Sequence, residues 1–215
     1  MGREGNDDPL STDGRIAPML PRGRLLSDDR SRVVSAFPPG FVWGVSTSAF
    51  QIEGDLAGVR GESIWDRFAA RHGAIADDSD GAVATDHVGH LDEDLDLLAE
   101  LGVGAYRFSV GWPRMAPSGR GRLQSAGVAF YDRLIDGLLE RGIAPWVCLY
   151  HWDLPQALQD GGGWESRDTA EYFADYVERV AARYADRVGH WFALNEPNVH
   201  AVLGHERHVG VADHV

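Results

Sequence analysis

The sequence predicts an α/β chain that forms a partial (β/α)8 TIM barrel, about the first four βα units, on three observations. From Phe37 onward short apolar runs alternate with longer amphipathic stretches, the pattern of strands joined by crossover helices. Polar side chains collect where those strands end, as they do at the functional face of a parallel barrel. The first strand leads into Ser46-Thr47-Ser48-Ala49-Phe50-Gln51, with no G-x-G-x-x-G or G-K-[ST] turn, so an open nucleotide-binding sheet loses its support.

Phe41 to Ser46 reads as the first strand. After a Gly- and Asp-rich connection, His87 to Leu101 places Leu91, Leu95, Leu98 and Leu101 on one helical face, and Gly102 stops it. Ala105 to Val110 is the second strand. Ala126 to Arg141, with Phe130, Leu134 and Leu138 before Gly142, is its helix. Ala144 to Tyr150 is the third strand, Arg167 to Arg187 the next helix, and His190 to Asn195 the fourth strand. Met1 to Ser35 has neither helical nor alternating periodicity and reads as a flexible tail, which leaves residues 36–215 for the barrel units.

Composition bounds the function. A chain of 215 residues with 44% hydrophobic and 25% charged residues can bury a core. Its net charge of −13 repels a phosphate backbone or an anionic leaflet, so neither nucleic acid nor a membrane is an expected partner. Cys148 stands alone, no run approaches about 18 apolar residues, and a cytoplasmic location is the expectation.

The strand ends carry Gln51 and Glu53, then Arg107 and Ser109, then Tyr150-His151-Trp152-Asp153, then Asn195-Glu196-Pro197. Amides and imidazoles give directional hydrogen bonds to hydroxyls, an indole face stacks on a sugar ring, and a carboxyl transfers protons. This set suits a carbohydrate. Each residue also has a structural reading: a lone Glu after a strand is commonly a solvated carboxylate, and Gln51, His151 and Arg107 can serve as internal hydrogen-bonding or neutralising groups. Cys148, in an apolar run, reads as an inert buried thiol. His200, His205, His208 and His214 with Glu206 raise the question of a metal site, but His205-Glu206-Arg207-His208 is one residue short of the H-E-x-x-H spacing, so no metal and no cofactor are expected.

Seven blocks then point to one family. Phe37-Pro38-Pro39-Gly40-Phe41-Val42-Trp43-Gly44, Phe50-Gln51-Ile52-Glu53-Gly54, Ser63-Ile64-Trp65-Asp66, Tyr106-Arg107-Phe108-Ser109, Trp112-Pro113-Arg114, Tyr150-His151-Trp152-Asp153-Leu154-Pro155 and Leu194-Asn195-Glu196-Pro197 occur in this order. They resemble the signature blocks of glycoside hydrolase family 1, the β-glucosidases and their relatives, over Phe37 to about Gly204, the N-terminal half of that family's barrel. The resemblance implies a retaining β-glycosidase in which Glu196 is the acid/base carboxyl and Asn195 holds the sugar 2-hydroxyl. It further implies that Gln51 and His151 grip hydroxyls across the ring, that Trp152 lines the same subsite, and that Arg107 keeps the nucleophile ionised. The implied partner is a small-molecule β-glycoside or oligosaccharide.

The family's nucleophile lies in a Thr-Glu-Asn-Gly type block, which does not occur in these residues, and Gly204 to Val215 departs from the family pattern. The expectation is therefore a truncated, impaired chain, with a non-catalytic carbohydrate-binding remnant or an inactive product as the alternative. Open barrel edges would also favour self-association.

Overall fold

A computed structural model describes residues 37–206. The expected tail over residues 1–35 lies outside the described residues, as do His208 and His214 and the side chains of His205 and Glu206. The chain divides between Phe41 and Val42. Of the first unit, Phe37–Phe41 is described: the Phe41 amide donates to the Pro38 carbonyl at 3.1 Å and the Phe37 and Phe41 rings lie 4.6 Å apart.

The second unit is built on four parallel strands in the order β1-β2-β3-β4: Gly44–Ser46, Ala105–Ser109, Ala144–Cys148 and His190–Phe192. Each expected strand is present, and β2, β3 and β4 end earlier than their apolar runs suggest. There the ladder thins to single hydrogen bonds, Leu149 to the Phe192 carbonyl at 2.8 Å and Asn195 to the Tyr150 carbonyl at 2.9 Å. The backbone is turning away to present side chains above the sheet.

Alternation sets the two faces. Tyr106, Phe108 and Val147 are buried against the helices. On the opposite face the register puts Ser46, Arg107, Trp146 and His190 in one row. Trp146 stacks on His190, with ring centroids 4.6 Å apart.

Short helices α1 (Ala49–Ile52) and α2 (Ile64–Ala69) occupy the connection after β1. Periodicity does not reveal the second, although Ser63 and Asp66 spell a capping box: Asp66 accepts from the Ser63 amide at 2.7 Å while the Ser63 hydroxyl accepts from the Asp66 amide at 3.3 Å. Burial works against ionisation of Asp66, yet hydrogen bonds from Arg60 and Ser63 hold its carboxyl below the usual value. Ser63→Ala is expected to cost about 1 kcal/mol in urea unfolding; an unchanged midpoint would show that the cap contributes nothing.

Helix α3 (Leu91–Leu101) starts later than its periodicity suggests. His87 and Val88 donate to the Ile52 and Glu53 carbonyls, which pins the segment before Leu91 outside helical geometry. Leu91, Leu95 and Leu98 are buried, and Gly102 closes the helix at φ 70°. After β2 come α4 (Trp112–Met115) and α5 (Ser125–Glu140). Helices α3 and α5 approach so closely that a Cβ on Gly137 would meet Leu95 Cδ1 at 2.5 Å.

Beyond β3 lie α6 (Gln156–Gln159), a 3-10 turn (Gly163–Glu165) and α7 (Arg167–Tyr184). Tyr176 of α7 stacks on fully buried Trp112 at 5.0 Å and donates its hydroxyl to the Val110 carbonyl. Arg187 bonds Asp132 and Asp136 at 2.8 and 2.6 Å, tying the end of α7 to α5. The short α8 (Pro197–Ala201) and a π-helical turn (Val202–Glu206) end the described chain. No helix among the described residues is long and apolar enough to cross a membrane.

Candidate active site

Five of the residues singled out from the sequence meet at the C-terminal ends of β2, β3 and β4, and Asn195 is their hub. Its side-chain oxygen accepts from Arg107 Nη2 at 2.9 Å, and its amide nitrogen lies 3.0 Å from His151 Nε2 and 3.3 Å from Glu196 Oε2. Its carbonyl accepts from the Trp152 indole at 2.8 Å. An amide NH2 only donates, so His151 presents its lone pair at Nε2 and its proton at Nδ1. Burial, then the Arg107 charge, lowers the pKa of His151, with Glu196 opposing, which favours the neutral ring.

Glu196 is exposed at the start of α8 with φ 46° and ψ 60°, and Trp152 also has a left-handed backbone, φ 72°. Non-glycine residues adopt that conformation at a cost, and only where the surroundings hold them there. The indole bond to the Asn195 carbonyl connects the two strained segments. Arg107 is not paired with a carboxylate among the described residues; its guanidinium lies 4.8 Å from the centre of the Phe192 ring.

Gln51 stands apart. It lies in α1, after Thr47, whose amide donates to the Arg107 carbonyl at 2.9 Å. Its exposed side chain accepts from the Ser48 hydroxyl at 2.6 Å and does not bond to the other five.

Beneath this rim is a buried polar network whose connections the sequence does not reveal. Arg114 Nε donates to Glu53 Oε2 at 2.6 Å and its Nη2 to the Gly54 carbonyl at 2.6 Å. The Tyr131 hydroxyl donates to Glu53 Oε1 at 2.6 Å and accepts from the Gly111 amide. Arg114 and Glu53 are 2% and 4% exposed, so this ion pair is sealed from water. Asp153, next to Trp152, is also buried. Desolvation, then the Glu53 charge, pushes its carboxyl up to about 7, and Oδ1 has no hydrogen-bond partner. Glu53 sits two residues from Gln51 and Asp153 two from His151, so the network underlies the segments that carry both.

His200 is the one member of the histidine group whose side chain is described. It packs edge-on against Tyr150 and Trp164, and no group of three or more His, Cys, Asp or Glu suited to a metal ion occurs among the described residues. Cys148 is buried and free.

Residues 33–211 match the sequence model of glycosyl hydrolase family 1. β-Glucosidase A of Acetivibrio thermocellus is 51% identical over 170 residues, covering 79% of this chain and 38% of that protein. β-Glucosidase A of Thermotoga maritima is 49% identical over 173 residues, covering 80% of this chain and 39% of that protein. The solved family 1 β-glucosidase of T. maritima superimposes with a TM-score of 0.77 at 48% identity, again over 80% of this chain and 39% of that one. The β-glucosidase of T. maritima has also been solved in complex with castanospermine and with deoxynojirimycin. The chain thus spans well under half the length of the relatives it matches. With its parallel strands in barrel order and its polar cluster at their C-terminal ends, the chain belongs to glycosyl hydrolase family 1 and corresponds to the N-terminal part of that family's barrel.

Proposed function

We propose that this chain carries the acid/base half of a retaining β-glycosidase site, on residues 36–215, with residues 1–35 as an extension that adds no chemistry. The observation that supports this most directly is the hydrogen-bonded set Arg107, His151, Trp152, Asn195 and Glu196. Glu196 protonates the leaving oxygen and then deprotonates water. Asn195, whose amide already reaches toward Glu196, holds the 2-hydroxyl. His151 and Gln51 bind hydroxyls across the ring, and the Trp152 indole borders it. The ligand is a small β-glycoside or oligosaccharide.

Retention needs a second carboxyl about 5–5.5 Å from the first, as nucleophile. None of these 215 residues is assigned that role, and Arg107, with its charge not matched by a carboxylate among the described residues, is the group placed to stabilise one. Acid/base catalysis by Glu196 by itself is worth about 10²–10⁴-fold. The test is release of aglycone from an aryl β-glucoside by the purified chain. Wild type is expected to exceed Glu196→Gln; equal rates would leave the alternative, a non-catalytic carbohydrate-binding chain.

A further inference from the structure

Trp152 keeps its left-handed backbone, φ 72°, between His151, which belongs to the polar cluster, and Asp153, which belongs to the core. A bulky residue persists in that conformation only where its surroundings over-determine it. The indole bond to the Asn195 carbonyl fixes the side chain and leaves φ free. A second hold acts on the backbone. The Asp153 carboxyl accepts from the amides of Asp153 itself and of His151, the two residues on either side of Trp152, and so closes the turn around it.

That carboxyl is an expensive choice for packing alone. Asp153 is 3% exposed, and its Oδ1 has no hydrogen-bond partner among the described residues. A Cβ on Gly111 would stand 3.4 Å from Asp153 Oδ2 and 3.3 Å from the Tyr131 hydroxyl, so the acid borders the Glu53 network across a glycine that leaves it room. An apolar side chain would fill the same space without the cost of burying a carboxyl.

We propose that Asp153 is a positioning residue of the sugar site: its buried carboxyl clamps the His151–Trp152–Asp153 turn and so fixes how His151 presents Nε2, and Trp152 its indole, to Asn195. Asn195 also bonds Arg107 and Glu196, so the orientation of the turn reaches the whole cluster. The inference rests on the proposed glycosidase reading only for the identity of the ligand.

The clamp responds to charge. Asp153 faces Glu53 and Arg60 from the segment after β1, Tyr131 of α5, Cys148 and Tyr150 from its own side of the sheet, and Tyr176 of α7. Arg114 of α4 is already engaged by Glu53. Burial, then the Glu53 charge, raises the Asp153 carboxyl to about 7. Losing its proton sets a second negative charge near Glu53 and draws the carboxyl harder onto its two amides, which moves Trp152 between them.

The indole N–H resonance of Trp152, assigned with Trp152→Phe, is followed by proton–nitrogen NMR of the full chain from pH 6 to pH 8. It is expected to shift with a midpoint near 7, while the Trp191 indole, bonded to the Val188 carbonyl, stays in place. Asp153→Asn keeps an acceptor oxygen for the amides and is expected to hold the resonance at its pH 6 position throughout. Any shift caused by the His151 ring, or by the His200 ring 6.3 Å from Trp152, survives in that variant. A shift that survives there, or a stationary resonance in wild type, would overturn the proposal. Castanospermine binding is then measured by calorimetry at pH 6. Asp153→Asn is expected to match wild type, and Asp153→Ala, which removes the acceptor, to bind about tenfold more weakly. Equal binding by a folded Asp153→Ala would also overturn it; if that variant does not fold, the resonance comparison decides. The expected resonance shift in a wild-type chain that binds no castanospermine upholds the clamp and counts against the glycosidase reading instead.

Discussion

Arg114→Met is expected to lower the unfolding free energy by about 3–5 kcal/mol, because it strands the Glu53 carboxylate in the interior with only the Tyr131 hydroxyl to bind it. The magnitude comes from burial. A surface pair contributes about 0–1 kcal/mol because water replaces the lost partner, but Arg114 and Glu53 are nearly inaccessible. The same replacement frees the Gly54 carbonyl, which accepts from Arg114 Nη2 at 2.6 Å. The double variant Glu53→Met/Arg114→Met removes both charges and is expected to recover most of the loss. Urea unfolding of the two variants checks this. A single variant within about 1 kcal/mol of wild type would mean that water reaches Glu53 after all.

Asp153 governs the second large effect, a fall in stability as pH rises through the weakly acidic range. In the unfolded chain this carboxyl loses its proton near 3.8; in the folded one it holds it up to about 7. Between those values the native state binds the extra proton, so stability declines with increasing pH and levels off above about 7. The full span corresponds to a loss on the order of 4 kcal/mol. Asp153→Asn mimics the protonated acid at every pH. It is expected to remove that decline and to be more stable than wild type at pH 8. Unfolding midpoints measured from pH 4 to pH 8 test the sign: parallel profiles would show that Asp153 titrates normally. Glu53 opposes and Arg60 favours ionisation of Asp153, so Arg114→Met, which exposes Asp153 to an unneutralised Glu53, should push its titration higher still.

Legibility in the sequence tracks interaction range. The sheet strands and helices α3, α5 and α7 are readable because apolar spacing is a local property that the folded chain then uses directly, as Leu91, Leu95 and Leu98 show. Helix α3 begins later than its periodicity suggests because residue 87 bonds backward to residue 52, a contact that spacing does not encode. The capping box of Ser63 and Asp66 is local, but six residues of helix are too few for periodicity to register. In the site, the separate segments bearing Arg107, His151, Trp152, Asn195 and Glu196 can be grouped through the ordered blocks. That Asn195 is the hub is not visible from them. The ion pair between Glu53 and Arg114 spans 61 positions, and Asp153 gains its character from burial, so neither announces itself in the primary structure.

Folding requirements alone would choose a different residue at position 196. With φ 46° and ψ 60°, that point of the chain is of the kind Gly, Asn or Asp occupies most readily, whereas a long side chain there is disfavoured by about 1–2 kcal/mol. The side chain is also exposed and caps no helix, so it returns little by way of contacts. A glutamate in this place therefore resists explanation as scaffolding. Under the acid/base role proposed for Glu196, thermal robustness and carboxylate chemistry make opposite demands on this position.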